Sequence, residues 1–189
     1  MVMLVLLLTV CVASLSGGLA LLGHTEGRIA RAHLKAVQTS YAASAAVHLA
    51  VDAVARVPLS TQWPSVGIVA ALGSSAPVMA IAPGETLDLD VRTAELDREA
   101  ARRWPLGPDT PRWRLVAWGR LPALPASSMR IAIWIADDVM DGDGIPGTDL
   151  NGMLMIRGEA FGQGGAARAV VAHIRREAGL VTTVSWREE

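Results

Sequence analysis

The chain of 189 residues has a single cysteine, Cys11, so no intrachain disulfide can staple it. Of its 17 basic residues only Lys35 is a lysine, and the rest are arginines. With the abundant Ala and Gly, this reads as the coding bias of a GC-rich genome rather than as chemistry. Charge of one sign is also missing: 17 basic against 18 acidic residues leave a net charge of -1, which excludes global steering toward nucleic acid or an acidic surface. No Gly-x-Ser-x-Gly elbow is present, and no histidine can be tied to a serine or to Cys11 as a nucleophile pair. His24, His33, His48 and His173 form no metal-spaced pair, which argues against zinc. No catalytic constellation is visible, and the expectation is that the protein is not an enzyme. Tyr and Phe occur once each against six tryptophans; Trp113, Trp118 and Trp134 fall in expected strands and are read first as sheet core, with an aromatic patch for a partner as the alternative. Basic residues are not interleaved with them in a way that suggests binding along a nucleic-acid strand, so nucleic acid is not an expected partner.

Two further absences organise the chain. Met1–Leu22 carries no charged residue, and no proline occurs before Pro58. At ~1.5 Å per residue the uncharged run makes about 33 Å of helix, enough to cross a hydrocarbon core of roughly 30 Å. A cleaved signal usually has a basic start and a shorter apolar region; here the start has no basic residue, although Gly18-Leu19-Ala20 offers a small-residue site. Residues 1–57 are therefore expected to form one helix, membrane-embedded over residues 1–22 and amphipathic beyond. Gly17-Gly18 is a point where it could kink. Arg28, Arg31, Lys35 and Gln38 build a polar ridge. Leu34, Val37, Tyr41 and Ala45 make an apolar ridge beside it, and Ala43, Val47, Ala50, Val54 and Val57 a second stripe at helical spacing. Asp52 and Arg56 stand at i,i+4 and are placed to pair.

Residues 58–189 are expected to form one domain. Val66–Leu72 and Val78–Ala82 are short apolar runs in a Pro/Gly/Ser-rich segment. Leu87–Arg92 alternates as a strand, and Ala94–Arg103 reads as a short helix stopped at Trp104-Pro105. Trp113–Leu121, with Trp113, Leu115 and Ala117 on one face, Met129–Ala136, Met153–Phe161 and Val181–Trp186 read as strands. Ala167–Glu177 fits strand alternation and also one helical face; the Gly162-Gln163-Gly164-Gly165 turn suits a hairpin and favours the strand. The same turn lacks the glycine spacing and βαβ context of a nucleotide site. The fold class is α+β: a long N-terminal helix whose second half covers the apolar face of a C-terminal antiparallel sheet.

This layout resembles the type IV pilin-like proteins, in particular minor pilins of the PilX type. The resemblance is carried by the apolar start continuing into an amphipathic helix, by the small-residue patch Ser40-Tyr41-Ala42-Ala43-Ser44-Ala45-Ala46-Val47-His48-Leu49-Ala50, and by the C-terminal run from Asp141-Gly-Asp-Gly through Asn151–Gly162 to Gly164-Gly-Ala-Ala-Arg-Ala-Val-Val. The family usually has an acidic residue where Ser44 stands and a glutamate where Val5 stands. The resemblance implies a structural subunit of a type IV pilus or pseudopilus, anchored in the inner membrane with a periplasmic domain and carried to a cell-surface filament. Its implied partners are membrane lipid, other pilin subunits and the pilus assembly machinery. Val5, Leu8, Val12 and Leu19 are the expected membrane and filament packing positions; Tyr41, Ala45 and Leu49 are expected to seat the helix on its domain. Charge placement points the other way on orientation, because Arg28, Arg31 and Lys35 follow the span and nothing basic precedes it.

The acidic loop from Asp137 to Asn151 is the one candidate metal site. Asp137, Asp138, Asp141, Asp143, Asp149 and Asn151 offer the oxygen ligands a Ca²⁺ ion takes. It is not an EF-hand: with Asp141 at the first loop position, Ile145 and Pro146 fall where an aspartate and a glycine belong. The plain alternative is a solvated turn. A membrane-tethered periplasmic binding module with a Ca²⁺ loop is the second functional expectation.

Overall fold

The computed structural model describes residues 2–56, 77–105, 110–121, 129–139, 151–162, 165–177 and 180–189. Among them the elements run α1 (Val2–Arg56), β1 (Val78–Ala82), β2 (Glu85–Asp88), α2 (Leu89–Arg103), β3 (Arg114–Arg120), β4 (Arg130–Asp137), β5 (Met153–Phe161), β6 (Ala167–Glu177) and β7 (Leu180–Glu188). This is the expected α+β arrangement, a long helix with an antiparallel five-stranded sheet. Val66–Leu72 and the centre of the Gly162–Gly165 turn lie outside the described residues. Packing divides the chain into two compact units, Met1–Val37 and Gln38–Glu189.

The first unit is helix throughout its described residues, and α1 runs through Gly17-Gly18 without a break. Every residue from Val2 to Glu26 is exposed. Hydroxyls in this stretch turn back on their own helix: Thr9 Oγ1 donates to Leu6 O at 2.9 Å, Ser14 Oγ to Val10 O at 2.9 Å and Thr25 Oγ1 to Leu21 O at 2.8 Å. A hydroxyl bonded in this way adds no unsatisfied donor to an apolar surface.

In the second unit the sheet has the order β3-β4-β5-β6-β7, each strand antiparallel to the next. Side chains alternate between two covered faces. Ile131, Ile133 and Ile135 of β4, Leu154, Ile156 and Ala160 of β5, and Val170, Ala172 and Ile174 of β6 form one core with Ala42, Ala43, Ala46, Val47, Ala50 and Val54 of α1. Ala132, Trp134, Ala136, Met155, Phe161 and Val171 form a second core with Leu89, Leu96 and Ala100 of α2 and Met79 of β1. The sheet is therefore covered on both faces, not only on the α1 face. This explains why β4 reads as an unbroken apolar run instead of alternating with polar residues.

The α1 face is tight at one point. Gly158 of β5 lies under α1, where an added Cβ would stand 2.7 Å from Ala43 O and 3.0 Å from Ala46 Cβ. The small residues at 42, 43 and 46 and the bare backbone at 158 together set how near the helix comes to the sheet. Opposite, Trp134 Nε1 donates to Thr93 Oγ1 at 2.8 Å, tying α2 to β4.

Three expectations change here. The segment Leu87–Arg92 is not one strand: β2 ends at Asp88, whose carboxylate accepts from the N–H groups of Asp90 at 2.9 Å and Val91 at 3.0 Å. That N-cap starts α2 five residues before the expected Ala94. In β3 a register shift between Leu115 and Ala117 puts both Val116 and Ala117 in the α1 core, so Ala117 does not share a face with Trp113 and Leu115. Tyr41 does not seat the helix: it is 73% exposed, because nine residues at 3.6 per turn place it roughly opposite Ala50 on α1.

Candidate functional site

Among the described residues two regions carry chemistry or contact surface. The first is the start of α1, which is long and apolar enough to cross a membrane. Val5, Leu8, Val12 and Leu19 are all exposed there, as are the apolar residues around them. Further along the helix, Ala45 and Leu49 are half-buried and packed against the α1 core. Beside them His48 meets Trp186 of β7 with ring centroids 5.1 Å apart, and Ser40 Oγ donates to Glu188 Oε2 at 3.2 Å.

The second region was not singled out from sequence. It lies on the α2 face of the sheet and is built on Arg157 and Glu159, two positions of β5 that point the same way. Both are buried. Arg92 of α2 clamps Glu159 with two bonds, Nη2 to Oε1 at 2.7 Å and Nε to Oε2 at 3.1 Å, while its Nη1 donates to Glu95 at 3.0 Å. The hydrogen bond to Glu159 holds the Arg92 guanidinium above its usual value, against the opposing effect of burial. Arg157 Nε donates to the same Glu159 Oε1 at 2.6 Å, and Arg157 Nη1 donates to Glu189. Arg187 also donates to Glu189, and Arg103 Nη1 stands 3.9 Å from it.

Beside this network is a cavity of about 190 Å³. Leu96, Ala100, Met155 and Val171 supply apolar lining, Trp104 and Trp113 add indole surface, and Arg103, Arg157 and Arg187 bring positive charge to it against the acids Glu99 and Glu189. The Arg103 guanidinium lies over the Trp104 ring, 5.2 Å from its centroid. His173 of β6 also lines the cavity. Burial pushes its pKa below the ordinary value; Asp138 acts against this, and Arg187 and Arg103 add to the lowering. For Glu189 burial raises the pKa, but the hydrogen bond from Arg157 and the charges of Arg157 and Arg187 outweigh it and hold the carboxyl below its usual range. The arginines thus hold the Glu189 carboxylate ionised, with a neutral imidazole beside it at neutral pH.

Of the candidate Ca²⁺ ligands, Asp141, Asp143 and Asp149 lie outside the described residues. Asp137 and Asp138 are buried at the end of β4 and just beyond it. Asn151 Nδ2 donates to Asp138 Oδ1 at 2.8 Å, and Asn151 Oδ1 accepts from the Met153 N–H at 2.6 Å. Among the described residues no group of three His, Cys, Asp or Glu is arranged to hold a metal. Gly152, with φ +75°, follows directly; a Cβ there would meet Arg176 O at 2.5 Å.

The tryptophans divide by role. Trp134 is fully buried in the α2 core, Trp113 also joins that core, and Trp118 packs against it.

Comparison with protein-family models, with curated proteins and with solved structures finds no match for the chain.

Proposed function

We propose that the protein is a minor-pilin-like structural subunit of a type IV pilus or pseudopilus. In this reading residues 1–22 anchor it in the inner membrane, the domain beyond faces the periplasm, and the same helix later packs among those of other pilin subunits in a filament. The assembly machinery and sister subunits are its partners. It works by packing, not by catalysis, and binds no nucleic acid.

The observation that carries this reading is the contrast along α1. Its first part presents only exposed side chains, almost all apolar, from Val2 to Leu22, while Ala43, Val47, Ala50 and Val54 of the same helix are buried in a sheet core. An apolar surface of that length is stable when lipid or other helices cover it. In lipid or in a helix bundle, the self-bonded hydroxyls of Thr9 and Ser14 leave their donors satisfied. The resemblance of the small-residue patch at 40–50 and of the C-terminal run to minor pilins supports the filament over a plain anchor.

Leu8→Arg tests it. A charge near the middle of a span costs about 2.5–3.5 kcal/mol on insertion scales, so membrane retention and recovery of the protein with sheared filaments should both fall. Filament incorporation that persisted with Leu8→Arg would rule the packing role out.

A further inference from the structure

We propose that the cavity between α2 and the β5–β7 side of the sheet is a binding site for a small planar carboxylate, with the Glu189 side chain holding the place of the ligand's anionic group. The site belongs to the Gln38–Glu189 unit, and the proposal stands whether or not the protein enters a filament.

Three guanidinium groups converge on one carboxylate. Arg157 and Arg187 both donate to Glu189, and Arg103 is 3.9 Å away, beyond hydrogen-bond reach. A carboxylate accepts about four hydrogen bonds and suits guanidinium forks in pairs, so the arginines offer more donors than Glu189 uses. The two acids that meet Arg157 differ in how firmly they are held. Glu159 sits in the central strand with 4% side-chain exposure and is clamped by both Arg92 and Arg157. Glu189 follows the edge strand β7, its side chain is 30% exposed, and its backbone is fixed independently by paired bonds with Ala169. Its side chain can leave without unpairing the strand.

The rest of the cavity fits the body of such a ligand. Trp104 and Trp113 line it with indole, Met155 and Val171 add apolar surface, and against the two lining acids Glu99 and Glu189 stand Arg103, Arg157 and Arg187. A planar ring bearing a carboxylate would set its charge among the arginines and its face against indole. The volume of about 190 Å³ lies below the roughly 300 Å³ at which drug-sized sites begin, so the ligand is the size of a single substituted ring.

As a tethered competitor Glu189 acts at the high effective concentration of an intramolecular group. Neutralising it should strengthen binding of an external carboxylate. The test is calorimetric titration of benzoate into the full chain in detergent micelles, with empty micelles subtracted. Acetate supplies the charge without the ring, and benzyl alcohol the ring without the charge. Benzoate should bind more tightly than either, about ten-fold tighter to Glu189→Gln than to the unsubstituted chain, and about ten-fold more weakly to Arg187→Gln, which loses a charged donor. Equal benzoate affinity in Glu189→Gln and the unsubstituted chain, or no benzoate binding to either, would overturn the proposal. Near-UV circular dichroism reports whether each variant keeps its packed tryptophans. If Glu189→Gln does not, unchanged benzoate affinity in a folded Arg187→Gln is the contradicting result.

Discussion

Gly158 of β5 lies directly under Ala43 of α1: a methyl group built at 158 would stand 2.7 Å from the Ala43 carbonyl oxygen. Backbone on one side and a helix carbonyl on the other leave no flexible side-chain end to move aside. Gly158→Ala should therefore destabilise the domain by about 1–3 kcal/mol, the cost typical of overpacking, although alanine is otherwise the better strand residue. Chemical denaturation followed by near-UV circular dichroism measures it. A neutral or stabilising result would mean that α1 sits farther from β5 than this contact requires.

The Glu159 carboxylate neutralises two arginines at once, bonding Arg92 at 2.7 Å and Arg157 at 2.6 Å. Removing one member of a buried pair costs about 3–5 kcal/mol where the other is left uncompensated, whereas replacing the whole pair by apolar groups is often near neutral; here Arg157 keeps Glu189 and Arg92 keeps Glu95, so the loss is smaller. Glu159→Gln should accordingly destabilise by about 1–3 kcal/mol, the cost of a lost buried hydrogen-bond partner, and Arg157→Met with Glu159→Met should recover much of the loss. Denaturation midpoints of the two variants decide it; a double variant as unstable as the single one would contradict the account.

His173 is held neutral by burial, with its folded-state pKa below the ordinary 6.5. The unfolded chain then takes up a proton at this position more readily than the folded one. Its contribution to stability is complete above pH 6.5 and declines as pH falls from there toward the lower folded-state value. Glu189 behaves as a depressed carboxyl: its contribution is present above its ordinary value of 4.5 and is lost as pH falls through the folded-state value. Melting temperature measured from pH 7.5 downward should show the His173 decline beginning first. His173→Gln should flatten that upper limb and leave the carboxylate limb in place. An unchanged profile in His173→Gln would show that another group titrates there.

Much of this fold is legible from local pattern. Met153–Phe161 and Ala167–Glu177 are strands at the expected bounds, the second fitting alternation and a helical face alike until the glycine-rich sequence before it favours a hairpin, and Asp52 and Arg56 pair at 2.5 Å on one exposed helix face as their spacing suggests. Legibility failed where one residue overrides a pattern. Asp88 caps α2 and turns what looks like a continuing strand into helix. The irregularity between Leu115 and Ala117 puts consecutive residues on one face. Tyr41 is apolar enough to suggest burial, but its angular position on α1 turns it outward. The charge network and cavity were not legible at all, because α2, β5, β6 and β7 meet there only through sheet order. A usable local sign did exist: Arg157 and Glu159 interrupt the otherwise apolar Met153–Phe161, and two opposite charges on one face of a central strand call for buried partners.

The central claim is that the start of α1 is covered by lipid in one state and by helices of other subunits in another. A photo-crosslinking amino acid at Val12, an exposed position within the apolar stretch, tests both halves in cells. The account predicts lipid adducts in the membrane fraction and adducts to other pilin subunits in the sheared surface fraction. Lipid adducts alone, with no subunit captured in any fraction, would contradict it and leave α1 as an anchor only.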